Sequence, residues 1–377
     1  MKKAAVWILL TALLLTGCSS LTEGTYVSVV PFQPEGPAVS QDIISVSNYI
    51  ELRNALCLLA ENGTQSATIS VDSFAPEMVD INMGLAIRYV THNNPIGSYA
   101  VKEITYESGV SGGAPAVAVN ITYEHNRAEI RRIRQVSGME DVRKAIQKAM
   151  ELCEDSLVLY VSNFNSIDYA QIVSSYAQDR PDLVMETPEL TTTVYPESGV
   201  SRILEFKFTY QMNRDSLRDM QQQVKDIFDS AKLYVSEGTE EEQYAQLYSF
   251  LAGRHTYQEK TSITPAYSLL LHGVGDSRAM ATVYAAMCRR AGLNCLVITG
   301  TRMGEPWYWN MICKDGIYYH VDMMRCIEQG RFFILSEYQL SSYVWDYSMY
   351  PAYQLTPSRK NESELPTETT VPDSTEE

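Results

Sequence analysis

Three short stretches carry the residue types best able to do chemistry. The first, "LLHGVGDSRAMATVYAAMCRRAGL" from Leu270 to Leu293, runs a Gly-rich turn into an apolar helix. His272 and Ser277 flank Gly275 there, so a Ser–His pair is conceivable. The second, "WYWN", brings Trp307 and Trp309, and the third, "YHVD", sets His320 and Asp322 two residues apart on one strand face. A nucleophile, an imidazole to take its proton and a carboxylate to orient that ring are the parts of an acyl-transfer site. Cys288 falls near the far end of the helix, away from the dipole end that would make a thiolate, and reads as core. Asp276 reads as the helix cap, which makes Ser277 an ordinary helix-start residue as much as a nucleophile.

The remaining composition narrows the chemistry. Cys57, Cys153, Cys288, Cys295, Cys313 and Cys326 form no CxxC pair, and the five histidines are scattered, so neither a metal nor a cofactor is expected. The formal charge of −16 argues against nucleic acid, whose phosphates require a positive surface. At the start, Lys2 and Lys3 precede an apolar run from Ala4 to Leu15 and then "LTGC". That run is too short to span a bilayer and reads as a secretory signal. Its end resembles a bacterial lipobox, which implies lipidation of Cys18 and an exported protein held by lipid at the outer face of the cytoplasmic membrane.

Two related segments follow a polar, Pro-bearing tether. Each reads helix, strand, helix, strand, strand: "YIELRNALCLLAENG" to "AVAVNITYEHNRAEI", then "VRKAIQKAMELCED" to "ILEFKFTYQMNRDSL". "ESGVS" recurs at Glu107–Ser111 and Glu197–Ser201, expected both times in the last turn, and "TYEHNR" answers "TYQMNR". The spacing indicates an internal duplication. Arg127 and Arg214 could contact an anionic ligand as a matched pair, but Asn126 and Asn213 before them suit helix caps, the more ordinary use. Cys57 and Cys153 read as matching apolar helix positions.

From about Glu240 the chain resembles the transglutaminase-like, papain-related superfamily. "EEQYAQLYSFLAGRHTYQEK" is similar to its leading helix, "PAYSLLLHGVGDSRAMATVYAAMCRRAGLNCLVITG" to its central helix and first strand, and "WYWNMICKDGIYYHVDMM" to its catalytic hairpin. "FFILSEYQLSSYVWDYSMYP" resembles the closing segment. The resemblance implies a Cys read from "GVC", a His from "HAWN" and an Asp after the second hairpin strand. Here "GVG" sets Gly275 in the Cys place, "WYWN" sets Trp307 in the His place, and Asp322 alone is retained. Glycine has no side chain to attack with, and an indole N–H only donates.

The expected fold is therefore α+β: two duplicated small α+β units, then a papain-like transglutaminase core with an antiparallel sheet. Expected boundaries are a signal peptide over 1–17, a tether over 18–45, repeats over 46–135 and 136–234, the transglutaminase-like domain over 235–357 and a disordered acidic tail over 358–377. No catalytic residue is expected. The groove left behind would be lined by Trp307, Trp309, Asp276, His272 and His320, and Cys295 with Cys313 could bridge across the hairpin. The function implied is binding or scaffolding at the cell surface, towards cell-wall peptides or a surface protein. The alternative is an active cysteine-type or Ser-based peptidase or transamidase.

Overall fold

The protein is described by a computed structural model, which covers residues 43–354. The signal sequence, Cys18, nearly all of the tether and the acidic tail lie outside the described residues. By compactness the chain divides into two units. Of the described residues, the first takes those up to Ala145 with Leu157–Ile167 and Thr192–Glu205, and the second takes Ile146–Ser156, Asp168–Thr191 and those from Phe206 on.

The chain starts with β1 (Ile44–Ser45), α1 (Tyr49–Asn62), β2 (Ser66–Ser70), α2 (Pro76–His92), α3 (Pro95–Ala100), β3 (Val101–Ser111) and β4 (Ala114–Tyr123). Asn48 caps α1 by accepting from the Glu51 N–H, and Gly63, at φ +64°, closes it in the left-handed region. Between the caps, Leu52, Leu56 and Leu59 recur at helical spacing and enter a core with Ile69, Met83, Val117 and Val119. The strands run β1-β2-β4-β3, and β1 pairs with β2 in parallel. Gly112 and Gly113 both take positive φ, the backbone a two-residue hairpin needs. The first "ESGVS" therefore lies inside β3, not in the turn, because the two glycines let the strand run on to Ser111.

Next come α4 (Arg127–Ile130), β5 (Arg134–Val136), α5 (Met139–Glu151), β6 (Ser156–Val161), α6 (Tyr169–Asp179), β7 (Glu189–Tyr195) and β8 (Arg202–Thr209). The strand order, β5-β6-β8-β7, repeats the first sheet's, and its first pair is again parallel. Cys153 lies two residues past α5 at φ +49°. Its N–H donates to the Met150 carbonyl and that of Glu154 to Ala149, the same closure that Gly63 and Thr64 make on α1. The structural counterpart of Cys153 is thus Gly63 and not Cys57, which sits within α1.

The remaining elements are α7 (Arg214–Tyr234), α8 (Glu240–Ala252), β9 (Gln258–Glu259), α9 (Pro265–His272), β10 (Val274–Gly275), α10 (Ser277–Arg290), β11 (Cys295–Arg302), β12 (Glu305–Lys314), β13 (Ile317–Val321), α11 (Met323–Gln329), α12 (Glu337–Leu340) and β14 (Tyr343–Trp345). The fold is α+β, with an antiparallel sheet ordered β13-β12-β11-β14. Asn213 caps α7, and the Asn126 side chain caps α4, so the Asn-Arg pairs are used for helix starts. The central helix is α10, apolar on nearly every side and buried from Ala279 to Cys288. Its Tyr284 hydroxyl donates to the Tyr244 carbonyl at 2.9 Å. On β12, Ile312 faces the core around α10, while Trp309 and Met311 enter a second cluster with Ile298, Leu335 and Tyr343.

An ion-pair cluster holds the C-terminal end of α10. Asp182, 3 % exposed, accepts from Arg180 Nε and Nη2 at 2.9 and 3.0 Å and from Arg290 Nη2 at 3.3 Å, and Arg290 also pairs with Asp229. Burial alone would raise the Asp182 carboxyl, but the two guanidinium groups outweigh it and hold it below the usual range. Asp182→Ala is expected to lose about 2 kcal/mol of stability in urea unfolding at pH 7, since it leaves Arg180 without its carboxylate and Arg290 with Asp229 alone. A carboxyl held low contributes stability at neutral pH that is lost as pH falls below about 4, so the gap between wild type and variant should narrow in acid.

Candidate functional site

The site is built where α10 begins. Asp276 is its N-cap and accepts from the Ala279 N–H at 2.9 Å. Ser277 is therefore the first helical residue, the place where a helix dipole would act on a nucleophile. Its side chain is turned inward, 6 % exposed, with Oγ accepting from the Tyr308 backbone N–H at 3.3 Å. Gly275, expected in the nucleophile place, belongs to β10, paired in parallel with β9. A Cβ there would stand 2.8 Å from Leu269 Cδ1 and 3.2 Å from Ala279 Cβ, so a side chain could enter only by displacing a buried leucine. The position at the helix start is Ser277, two residues on, because the cap at Asp276 sets where the helix can begin.

The second half of the site is on the hairpin. Trp307 pairs with Gly300 on β11 and donates its indole Nε1–H to Asp322 Oδ2 at 2.8 Å. Asp322 follows β13 directly and is fully buried. Its Oδ1 accepts from the Met324 and Arg325 N–H groups at 3.0 and 3.3 Å, capping α11, and its Oδ2 accepts the Tyr343 hydroxyl at 2.6 Å. Four donors thus satisfy one carboxylate. Burial, then the adjacent Asp322 charge, push the Tyr343 phenol upward, so it stays a donor. The Arg302 guanidinium covers the Trp307 ring at 5.1 Å and Tyr343 at 5.9 Å. The indole consequently sits against the carboxylate as an imidazole would, supplies the same kind of N–H, and has no lone pair with which to take a proton.

Among the described residues of the second unit, no histidine stands in for that base. His255 Nε2 meets the Leu270 carbonyl at 3.1 Å, and His272, exposed at the end of α9, packs edge-on to Tyr267. His320 Nδ1 accepts the Trp309 Nε1–H at 2.9 Å. Among the described residues none of these histidines hydrogen-bonds to Ser277. The thiols are no better placed. Burial pushes Cys57 up to about 11 and Cys326 to about 12, and raises Cys153 and Cys288 as well, the reverse of what a thiolate nucleophile needs.

Two expected groove residues are in the core. Trp309 and His320 are 0 % and 1 % exposed, tied to each other and packed against Trp345. They line no groove, since strand alternation turns this face of β12 into its own hydrophobic cluster. Trp307 stays half-buried, Asp276 is used as a cap, and His272 is exposed on a different helix. The Cys295–Cys313 bridge is likewise not formed. Met303 and Gly304, both at positive φ, make a two-residue turn that sets Cys295 opposite Ile312, leaving Cys313 on the other face. All six cysteines among the described residues are free thiols.

His320 has a consequence for pH. Burial depresses its pKa from 6.5 to about 4, so the folded protein holds it neutral where the unfolded chain would protonate it. The stability it supports is complete above pH 6.5 and is lost as pH falls through 4, about 3 kcal/mol in all. Unfolding free energies measured from pH 7 to 4 should decline accordingly, and the decline over that window should be shallower in His320→Gln.

Sequence reasoning passed over Ser277 as an ordinary helix start, and it missed Tyr343 and Arg302 altogether. The signal for Ser277 was present, because a cap at Asp276 makes it the first helical residue. Tyr343 and Arg302 carried no signal, being brought to Trp307 by the pairing of β14 with β11. Among the described residues no cluster of three metal-ligating side chains occurs, and no helix is long and apolar enough to cross a membrane.

Residues 230–335 match the model of the transglutaminase-like superfamily. No protein of curated function matches the sequence. Three solved structures resemble the chain at low identity. One is a TGase, with 11 % identity, a TM-score of 0.26, and coverage of 64 % of this chain and 70 % of that one. The second is a candidate protease from Parabacteroides distasonis ATCC 8503, with 10 % identity, a TM-score of 0.22, and coverage of 68 % and 39 %. The third is a candidate cysteine protease from Cytophaga hutchinsonii, with 11 % identity, a TM-score of 0.23, and coverage of 41 % and 68 %.

Proposed function

We propose, for a chain whose residues 230–335 form a transglutaminase-like domain, that this domain has lost catalysis and serves binding or scaffolding on an exported, lipid-anchored protein. The observation that carries the reading is the 2.8 Å bond from Trp307 Nε1 to Asp322. It gives the carboxylate the partner that an imidazole would have been, while Ser277 Oγ is held by the Tyr308 backbone N–H, a donor and no base. Acyl transfer needs a group that accepts the nucleophile's proton and returns it to the leaving group, and indole does neither at neutral pH. The anchor is read from "LTGC" and Cys18. The recurring strand order supports a duplicated pair of α+β units ahead of the domain. Cell-wall peptides or a surface protein are the ligand classes that such an address favours.

The test is turnover by the purified protein, using a glutamine-bearing protein with a primary amine and a set of fluorogenic peptides. No amine incorporation and no hydrolysis above buffer are expected. Turnover that disappears in Ser277→Ala would overturn the inactive reading in favour of a Ser-based enzyme. For the anchor, the mature protein should partition with membranes and begin at an acylated Cys18, and Cys18→Ala should release it. Wild-type protein found free of membrane and unacylated would refute the anchor.

A further inference from the structure

A cavity of about 210 Å³ lies within the second unit, with Arg278 and Thr282 of α10 in its lining and neither Trp307 nor Asp322 among it. One wall comes from α6 and the turn that follows it, including Gln178, Val184 and Glu186. The other comes from the segment before α9, with Ser262 and Ile263, and from Arg278 at the second position of α10. The first wall lies outside the family match, so the cavity is a feature of how this chain has packed its preceding segment onto the domain.

Two opposite charges share that space without pairing. Glu186 is 4 % exposed, and among the described residues its carboxylate accepts only the backbone N–H groups of Gln211 and Met212, at 2.5 and 3.1 Å. Arg278 lies over the Tyr308 ring at 5.8 Å and forms no ion pair among the described residues. The two N–H groups leave further lone pairs on the Glu186 oxygens, and the half-buried Arg278 guanidinium has its donors turned to no carboxylate among the described residues. Gln178 adds an amide with no hydrogen bond among the described residues, while Val184 and Ile263 give apolar surface.

We propose that this cavity binds a small zwitterion, a free α-amino acid with an apolar side chain. Its carboxylate takes the Arg278 fork, its ammonium donates to Glu186, and its side chain lies on Val184 and Ile263. Arg offers the planar, two-pronged donor that a carboxylate fits, and the two charges at opposite walls fix the ligand's direction. The assignment deepens the binding role proposed above and rests on it for its meaning in the cell. The binding measurement is separate from the turnover assay, so either can fail alone.

The experiment is calorimetric titration of the full-length protein with L-alanine, L-valine, L-leucine and L-methionine. The N-acetyl and amide derivatives of the tightest one serve as probes of each charge. Saturable one-to-one binding is expected for at least one amino acid, weakened about tenfold or more by either blocked end. Arg278→Gln should weaken it by a similar factor, with Arg278→Lys intermediate, and circular dichroism should confirm that both variants fold. Absence of binding by all four up to about 10 mM would overturn the proposal, as would equal affinity for the blocked forms or indifference to Arg278→Gln.

Discussion

Asp322→Ala should cost about 4 kcal/mol of folding stability, a loss assembled from the bonds that end on this carboxylate. The Tyr343 hydroxyl would keep a buried donor, and Trp307 Nε1 a partly buried one, without an acceptor, and α11 would lose its cap. A stranded buried donor costs roughly 1–3 kcal/mol and a lost cap about 1. Asp322→Asn should fall between, because an amide oxygen can serve only some of the four donors. Urea unfolding followed by tryptophan fluorescence would measure both. Little change in either variant would mean that the carboxylate is not the structural anchor its contacts make it. On the proposed loss of catalysis, the effect of Asp322→Ala falls on stability alone.

Restoring the chemistry should succeed at Ser277 and fail at Gly275. Ser277→Cys together with Trp307→His would place a thiol at the start of α10 and an imidazole against Asp322. The helix dipole and an imidazolium both favour thiolate, so alkylation by iodoacetamide at pH 6 should be at least about tenfold faster than in Ser277→Cys alone. Gly275→Cys with Trp307→His should show no such gain and should be less stable, since its Cβ meets Leu269 and Ala279. Turnover is expected to be weak at best, because the surrounding groups, Arg302 over the ring above all, are arranged for an indole. Equal alkylation rates in the two double variants would show that the helix start has been placed wrongly.

The parts of this molecule that could be read in advance were those written in local spacing. The central helix was legible from its apolar run and its cap at Asp276, and the hairpin from "WYWN" and "YHVD". Trp307 facing Asp322 followed from setting those motifs in order. What escaped depended on one-residue choices that spacing does not encode. Gly275 is read from the likeness of "GVG" to "GVC", whereas the cap at Asp276 makes Ser277 the first helical residue. Cys295 and Cys313 are close along the hairpin, but the two-residue turn at Met303–Gly304 puts them on opposite faces. Trp309 and His320 look like site residues by type, yet both are buried in the core, where Trp309 Nε1 donates to His320 Nδ1 and His320 Nε2 finds no partner among the described residues.

Ser277 can be interrogated directly with a fluorophosphonate, which modifies a serine only when a neighbouring base removes its proton. The protein would be incubated with the probe at pH 7 to 9 and the peptide containing Ser277 quantified by mass spectrometry. With Trp307 donating to Asp322 and no imidazole at hand, labelling should not exceed that of the urea-unfolded chain. Stoichiometric, pH-dependent modification of Ser277 in the folded protein would contradict the loss of catalysis.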